Sequence, residues 1–272
     1  MKFLLTNDDS HISPLLGFII AKLRSLGELV VVVPKREQSW RGKALTRFSA
    51  VHEEQIELFG HPAFTIDGTP ADCTNIGIHH LCGGRPDVVV SGINAGLNAG
   101  MGFIFSSGTV GACLEGNIAG IPGIALSQAF DTETMNRYAA EYALPLETHA
   151  RLEAQTGPLL DRIFEVFLGE ATTLLAEPVT WNINLPFEAH SACELRATSM
   201  ARSTYGSYFA RTELHYEHRL RDIQTDLEDG NDIHTLRAGH VSISRLDMRV
   251  FGRIDAGTGA RLGRTFGARR DR

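Results

Sequence analysis

Short, unbroken apolar runs recur through the first half of the chain, at Phe3-Leu4-Leu5, at Leu29 to Val33 and at Val88-Val89-Val90, alternating with helical stretches. A strand with one wet face alternates apolar with polar residues, whereas a strand written as continuous Val, Ile and Leu is covered on both faces. The repeat therefore predicts an α/β chain with a mainly parallel sheet between helical layers. Strands are expected at Lys2 to Thr6, Leu29 to Val33, Asp87 to Ser91, Gly123 to Ser127, Trp181 to Leu185 and His240 to Ser244. Helices are expected over Ser13 to Leu26 and Ser107 to Ala119.

Thr69-Pro70-Ala71-Asp72 combines a capping residue, Pro at the first helical position and an acid at the third, so a helix should start there and run to about Cys82. Arg47 to Ile66 alternates loosely around Gly60-His61-Pro62 and predicts a hairpin beside the main sheet. Residues 131–169 read as helical but broken near Pro145 and again at Gly157-Pro158, giving two or three helices. From about Ala189 the pattern loosens, with Tyr205, Tyr208, Phe209 and Tyr216 scattered among polar residues. The expected division is a catalytic core over 1–188, an arm over 189–252 and a flexible Gly/Arg-rich tail over 253–272.

The 272 residues suffice for an ample core, and 43% hydrophobic with 21% charged residues suits an ordinary globule. A formal net charge of −6 disfavours a nucleic-acid partner. Cys73, Cys82, Cys113 and Cys193 show neither metal-site spacing nor a disulfide framework, and no apolar stretch approaches the roughly 18 residues a membrane span needs. A cytoplasmic location without membrane contact is the expectation.

One residue beyond the first apolar run comes Asn7-Asp8-Asp9. Two adjacent carboxylates at a partly desolvated strand end repel one another, so either one is protonated or a cation compensates both. The plainer alternative is an Asx-type turn capping a helix that starts near Ile12, for which one Asp suffices. Three further loops leave the same sheet edge. Pro34 through Ser39 supplies a hydroxyl, Ser91 through Gly100 supplies two amides, Asn94 and Asn98, and Ser106 through Gly111 opens a helix. Parallel strands deliver such loops to one rim. Oxygen donors with few charges suit Mg²⁺ or Mn²⁺ rather than zinc.

The N–H groups of Ser107, Gly108 and Thr109 at a helix start are a ready phosphate cradle, although Ser and Gly there also serve as simple caps. Gly92, Gly96 and Gly100 permit positive φ or close approach of a ligand, or mark a plain surface loop. Lys43 and Arg36 are read as solvated, either being long enough to reach a phosphate. No GxGxxG follows the first strand, and neither a GxxxxGK[ST] loop nor a GxSxG elbow occurs. An aspartyl-phosphate route is disfavoured because the first-strand acids are adjacent rather than spaced by one residue.

With these residues in place, the chain resembles the SurE family of metal-dependent 5′-nucleotidases. The resemblance is carried by Leu5-Thr6-Asn7-Asp8-Asp9, Pro34 with Gln38-Ser39, Gly68-Thr69-Pro70-Ala71-Asp72-Cys73, Pro86 through Asn94, Ser107-Gly108-Thr109-Val110-Gly111-Ala112, Gly120-Ile121-Pro122 and Asn182 through Pro186, in order over residues 1–187. It implies a Rossmann-like three-layer α/β/α core with a C-terminal arm that assembles a homodimer or homotetramer. It implies one divalent ion per subunit, Mg²⁺ or Mn²⁺, held by Asp8, Asp9, Ser39 and Asn94, with Asn98, Ser107, Gly108 and Thr109 against the phosphate. Three positions depart from the family pattern: Ser10 where Gly is usual, Trp40 where Gly is usual after Ser39, and Lys43 where His is frequent. Trp40 is placed to cover the mouth of the site.

The implied reaction is hydrolysis of nucleoside 5′-monophosphates to nucleoside and phosphate by in-line attack of a metal-bound water, with Asp8 and Asp9 as catalytic residues and one of them accepting the proton. Asn98, Ser107 and Thr109 would donate to the phosphoryl oxygens. Two rival readings are a non-catalytic nucleotide-binding or regulatory module and a broad phosphatase or exopolyphosphatase.

Overall fold

The structure is a computed structural model describing residues 1–219, 223–251 and 253–267. Its strands are β1 (Lys2–Thr6), β2 (Glu28–Pro34), β3 (Glu53–Leu58), β4 (His61–Ile66), β5 (Val88–Ala95), β6 (Gly123–Gln128), β7 (Thr180–Leu185), β8 (Leu195–Ala197), β9 (Ser203–Thr204), β10 (Phe209–Arg211), β11 (Tyr216–His218), β12 (Gln224–Thr225) and β13 (Val241–Leu246). The helices are α1 (Leu16–Leu26), α2 (Pro70–Ile76), α3 (Met101–Ser106), α4 (Gly108–Ile118), α5 (Thr132–Glu141), α6 (Leu146–Gly169), α7 (Ala171–Leu174), α8 (Asp232–Arg237) and α9 (Ala256–Gly267).

Among these residues one nine-stranded sheet runs in the order β3-β4-β2-β1-β5-β6-β7-β13-β8. Its six central strands, β4 through β7, are parallel. The continuous apolar runs are explained by cover on both faces. Phe3 and Leu5 pack with Leu16, Ile19 and Leu23 of α1 and with Ile163 and Phe164 of α6. Leu4, between them, faces the other way, into a cluster with Val32, Val89, Cys73 of α2, and Val110 and Cys113 of α4. The result is a three-layer α/β/α core.

The chain winds from β1 outward to β2 and β4, then crosses to β5 on the opposite side of β1. This reversal opens a crevice at the carboxyl ends of β1 and β5, the place where open α/β sheets hold ligands. Thr6 lies beside Ser91 in that pair of strands, so the residues that follow each of them emerge together.

Several elements differ from expectation. The hairpin does not lie beside the sheet but forms its edge, β4 pairing with β2 and β3 with β4. Its turn is Phe59-Gly60, both with positive φ, the geometry that matches strand twist in a two-residue connection. The helix from Pro70 turns into a π-helical segment, Gly77–Leu81, before ending at Cys82. The break near Pro145 is present, but α6 passes through Pro158 unbroken. A proline inside a helix costs about 3 kcal/mol, whereas burying each large apolar side chain contributes about 1.5–3 kcal/mol. Leu152, Leu159, Leu160, Ile163, Phe164 and Phe167 are all buried on that helix, so packing wins.

The sheet also extends beyond residue 188. β13 pairs antiparallel with β7 and brings β8 with it, so the arm is an excursion between two core strands. Within the expected tail, residues 256–267 form α9; residues 268–272 lie outside the described residues.

Candidate functional site

Beyond Thr6 the backbone turns sharply through Asn7-Asp8-Asp9-Ser10. The Asn7 amide closes this turn by donating to the Ser10 carbonyl at 2.8 Å. Ser10 has φ 70°, a left-handed conformation that is strained for a residue with a Cβ. Neither aspartate caps a helix: α1 starts at Leu16, and its capping position is Leu15, without a side-chain bond. The plainer reading of the acidic pair thus has no helix to serve.

Asp8 is buried against the N-terminus of α4. Thr109 N–H donates to Asp8 Oδ2 at 3.0 Å, and the Thr109 hydroxyl donates to Oδ1 at 2.6 Å. The contact needs Gly108, where an added Cβ would stand 2.8 Å from Asp8 Cβ. From the other side Gln38 N–H donates to the Asp8 carbonyl at 2.8 Å, pinning the loop that carries Ser39.

Asp9 accepts from Ala95 N–H at 2.9 Å, which ties β1's exit to the end of β5. Burial raises the pKa of Asp8, against the pull of the two Thr109 hydrogen bonds. Burial, and next the charge of Asp8, push Asp9 well above the ordinary carboxylate value. Glu37 adds further negative potential to both. Among the described residues neither aspartate has a Lys, Arg or His in ion-pair contact. The fold therefore gathers buried negative charge that it does not itself neutralise.

Asn94 lies in the strand rather than in the loop after it, because β5 shifts register between Ser91 and Asn94 and continues to Ala95. Its amide N–H₂ donates to the Gly96 carbonyl at 3.0 Å, leaving the amide oxygen as an acceptor. Asp8, Ser39, Asn94, Asn98 and Ser107 line one cavity of about 300 Å³, together with Trp40, Phe103 and Met135. Asp9, Gly108 and Thr109 are not part of that lining. Two carboxylates, an amide oxygen and a hydroxyl fit a hard divalent ion. Among the described residues no group of three or more His, Cys, Asp or Glu is gathered to hold a metal ion.

The phosphate cradle differs from expectation. Thr109's hydroxyl and N–H are committed to Asp8, and Val110 N–H is taken by the capping Ser107 hydroxyl at 3.1 Å. The positive end of α4 serves a carboxylate of the protein itself. Lys43 is only partly solvated and does not line the cavity; its ammonium pairs with Glu115 at 2.5 Å, a carboxylate almost wholly buried that also accepts from Asn75 at 2.8 Å. Arg36 is exposed, as expected.

Sequence reasoning left Asn182 and Asn184 without a role. Asn184 accepts from Asn98 N–H at 2.8 Å and donates to the Asn98 carbonyl, which Asn182 also reaches at 2.8 Å. Asp232 holds the same loop further on, accepting from Gly100 N–H at 2.7 Å. The signal was present: two amides alternating on one face of a buried strand must find polar partners. Trp40, at φ 64°, packs on Phe103 at 5.9 Å, Tyr208 at 5.2 Å and His218 at 5.4 Å, so the arm closes onto the rim.

Residues 3–207 match the family model described as Survival protein SurE. A 5′-nucleotidase SurE of Geotalea daltonii is 35% identical over 254 residues, spanning 91% of this chain and 93% of that protein. A protein of the same name from Methanopyrus kandleri is 34% identical over 268 residues, spanning 94% and 95%. The crystal structure of the SurE protein from Aquifex aeolicus aligns with a TM-score of 0.70 at 25% identity, covering 98% of this chain and all of that one.

Proposed function

The chain belongs to the SurE family, and from that premise we propose that it is a 5′-nucleotidase, a divalent-metal-dependent phosphomonoesterase that converts nucleoside 5′-monophosphates to nucleoside and phosphate. The observation that carries this reading is the pair of buried, uncompensated carboxylates at the crevice between β1 and β5, beside a cavity onto which Ser39, Asn94, Asn98 and Ser107 also face. Mg²⁺ or Mn²⁺ would be held by Asp8, Asp9, Asn94 and Ser39. When bound, such an ion polarises a phosphoryl oxygen and makes a water more acidic.

The remaining work falls to the chain's own groups. Asn98 donates one amide hydrogen to Ser127 at 2.9 Å and has a second for a phosphoryl oxygen. Thr109 is assigned to Asp8, which it orients and whose rise in pKa on burial it opposes, and Ser107 lines the cavity wall. One of the two acids, Asp8 or Asp9, would accept the proton. Trp40 and the arm narrow the entrance and limit water.

The test is phosphate release from purified protein with AMP, GMP, p-nitrophenyl phosphate and chain polyphosphate. Faster turnover of the nucleotides supports the reading, and equal turnover of all four favours a broad phosphatase. Nucleotide binding without turnover favours a regulatory module. Asp8→Asn should abolish turnover and leave the protein folded, and exhaustive EDTA treatment should do the same; activity surviving either removes the ion from the reaction. Assembly as a homodimer or homotetramer through the arm, and a cytoplasmic location, belong to the same proposal. All four cysteines are free and buried, and among the described residues no helix is long and apolar enough to cross a membrane.

A further inference from the structure

The loop that carries Ser39 lies along one face of α4. Gly108, Gly111 and Glu115 are spaced by three and then four residues, which sets them one above another on that helix. Gln38 rests on Gly108, where an added Cβ would come within 3.2 Å of the Gln38 carbonyl. Gly42 rests on Gly111, where a Cβ would meet the Gly42 carbonyl and stand 2.8 Å from the Lys43 nitrogen. Lys43 then reaches Glu115, ammonium to carboxylate at 2.5 Å. Backbone bonds follow the same path: Gln38 N–H donates to the Asp8 carbonyl at 2.8 Å, and Gly42 N–H to the Ser106 carbonyl at 2.9 Å. Past Lys43 the chain passes to α2, where the Thr69 hydroxyl donates to the Ala44 carbonyl at 2.6 Å and Asp72 accepts from the Thr46 hydroxyl, also at 2.6 Å.

Glycines let the loop come close to the helix but offer no side chain against which it can register, so its place along the helix needs a specific bond. The ion pair supplies one. Glu115 is buried and held by Asn75 through its other oxygen, so the pair is fixed in geometry and shielded from water, unlike an exposed pair. The first turn of the same helix grips Asp8 through Thr109. One rigid helix thus holds Asp8 near one end and the Ser39 loop further along. We propose that Lys43 is the positioning residue for Ser39: its pair with Glu115 fixes the loop on α4 so that the Ser39 hydroxyl is presented to the cavity beside Asp8. The inference rests on the reading of Ser39 and Asp8 as ligands of a divalent ion and deepens it, because it gives that ion's affinity a determinant that lines no part of the cavity.

The experiment titrates chelator-stripped protein with Mn²⁺ and follows the free ion by electron paramagnetic resonance, comparing the parent chain with Lys43→Met and with the double variant Lys43→Met/Glu115→Gln. Lys43→Met keeps the aliphatic stem but leaves the Glu115 carboxylate buried without its cation. The double variant leaves no such charge, so it decides if Lys43→Met fails to fold. The expected result, at a temperature where near-UV circular dichroism shows folded protein, is a rise of about tenfold in the Mn²⁺ Kd of both variants. A pair that served stability alone would lower the melting temperature and leave the Kd where it was. A Kd within about twofold of the parent in the folded double variant therefore overturns the inference and leaves the metal reading standing. A parent chain that binds no Mn²⁺ overturns the metal reading, and this inference with it.

Discussion

The Thr109 hydroxyl donates to Asp8 Oδ1 across 2.6 Å while the Thr109 N–H holds Oδ2 at 3.0 Å, so a single residue grips both oxygens of the carboxylate. That grip leaves Asp8 no rotational freedom and opposes the rise in pKa that burial imposes. In the proposed reaction the first turn of α4 would act through Asp8 rather than by touching the phosphate itself.

Thr109→Val keeps the shape and the N–H but removes the hydroxyl. Losing a partner behind a metal ligand typically costs about 10- to 100-fold in affinity or activity. Activity measured against Mg²⁺ concentration should show a raised requirement for the ion, with kcat recovered in part at saturation. Unchanged Mg²⁺ dependence would return Thr109 to a purely structural place.

Asp8 and Asp9 both have pKa values raised above their ordinary value of 3.8 by burial. Between that value and the folded-state pKa, the native protein holds more protons than the unfolded chain, so its stability falls as pH rises. Chelated protein should therefore melt at a lower temperature at pH 7 than at pH 5. Saturating Mg²⁺ should remove that decline, because the ion favours the charged carboxylates. Asp9→Asn should flatten the pH dependence and raise the melting temperature of the chelated protein at pH 7, while abolishing turnover. A pH-independent melting temperature in the chelated parent contradicts the raised values.

Asn184→Ala leaves the buried Asn98 N–H without its acceptor. An unpaired buried group costs about 1–3 kcal/mol, and Asn98 itself loses its fixed position in the cavity wall. Denaturant unfolding should show that loss, and kcat/KM should drop by roughly tenfold or more even in fully folded protein.

Trp40→Gly removes the platform on which Tyr208 and His218 rest, and relieves the positive φ at residue 40. The arm over 203–218 should exchange its amide hydrogens faster and be cut sooner by trypsin at Arg211. Global stability should move little, since aromatic pairs contribute about 0.5–1.5 kcal/mol each and the glycine regains part of it. Equal protection of the arm in both proteins would place its anchoring elsewhere.

Much of the architecture was legible from local pattern. Runs such as Val88-Val89-Val90 needed cover on both faces wherever they sat, and Thr69 through Asp72 starts a helix by local hydrogen bonds alone, its capping box being complete in the fold. The candidate residues Asp8, Ser39, Asn94, Asn98 and Ser107 were legible for a related reason: parallel strands deliver their exit loops to one edge, where these five line one cavity. The fate of Pro158 and the pairing of β13, itself expected as a strand, were not legible. A proline's local cost is visible in the sequence, but the packing that outweighs it is not. The pairing of β13 with β7 joins residues about sixty positions apart, beyond any periodic signal.

The sequence alone determined which chemistry the protein carries to the sheet edge, since two adjacent acids, two amides and small hydroxyl residues bring oxygen donors wherever their loops go. Tertiary structure decided to what each donor is bound: Thr109 faces Asp8 rather than a substrate, Lys43 neutralises Glu115, and Asn184 holds Asn98. The physical reason is that a hydrogen-bond donor is written into one residue, whereas its partner is whichever acceptor the packing of distant segments brings within about 3 Å.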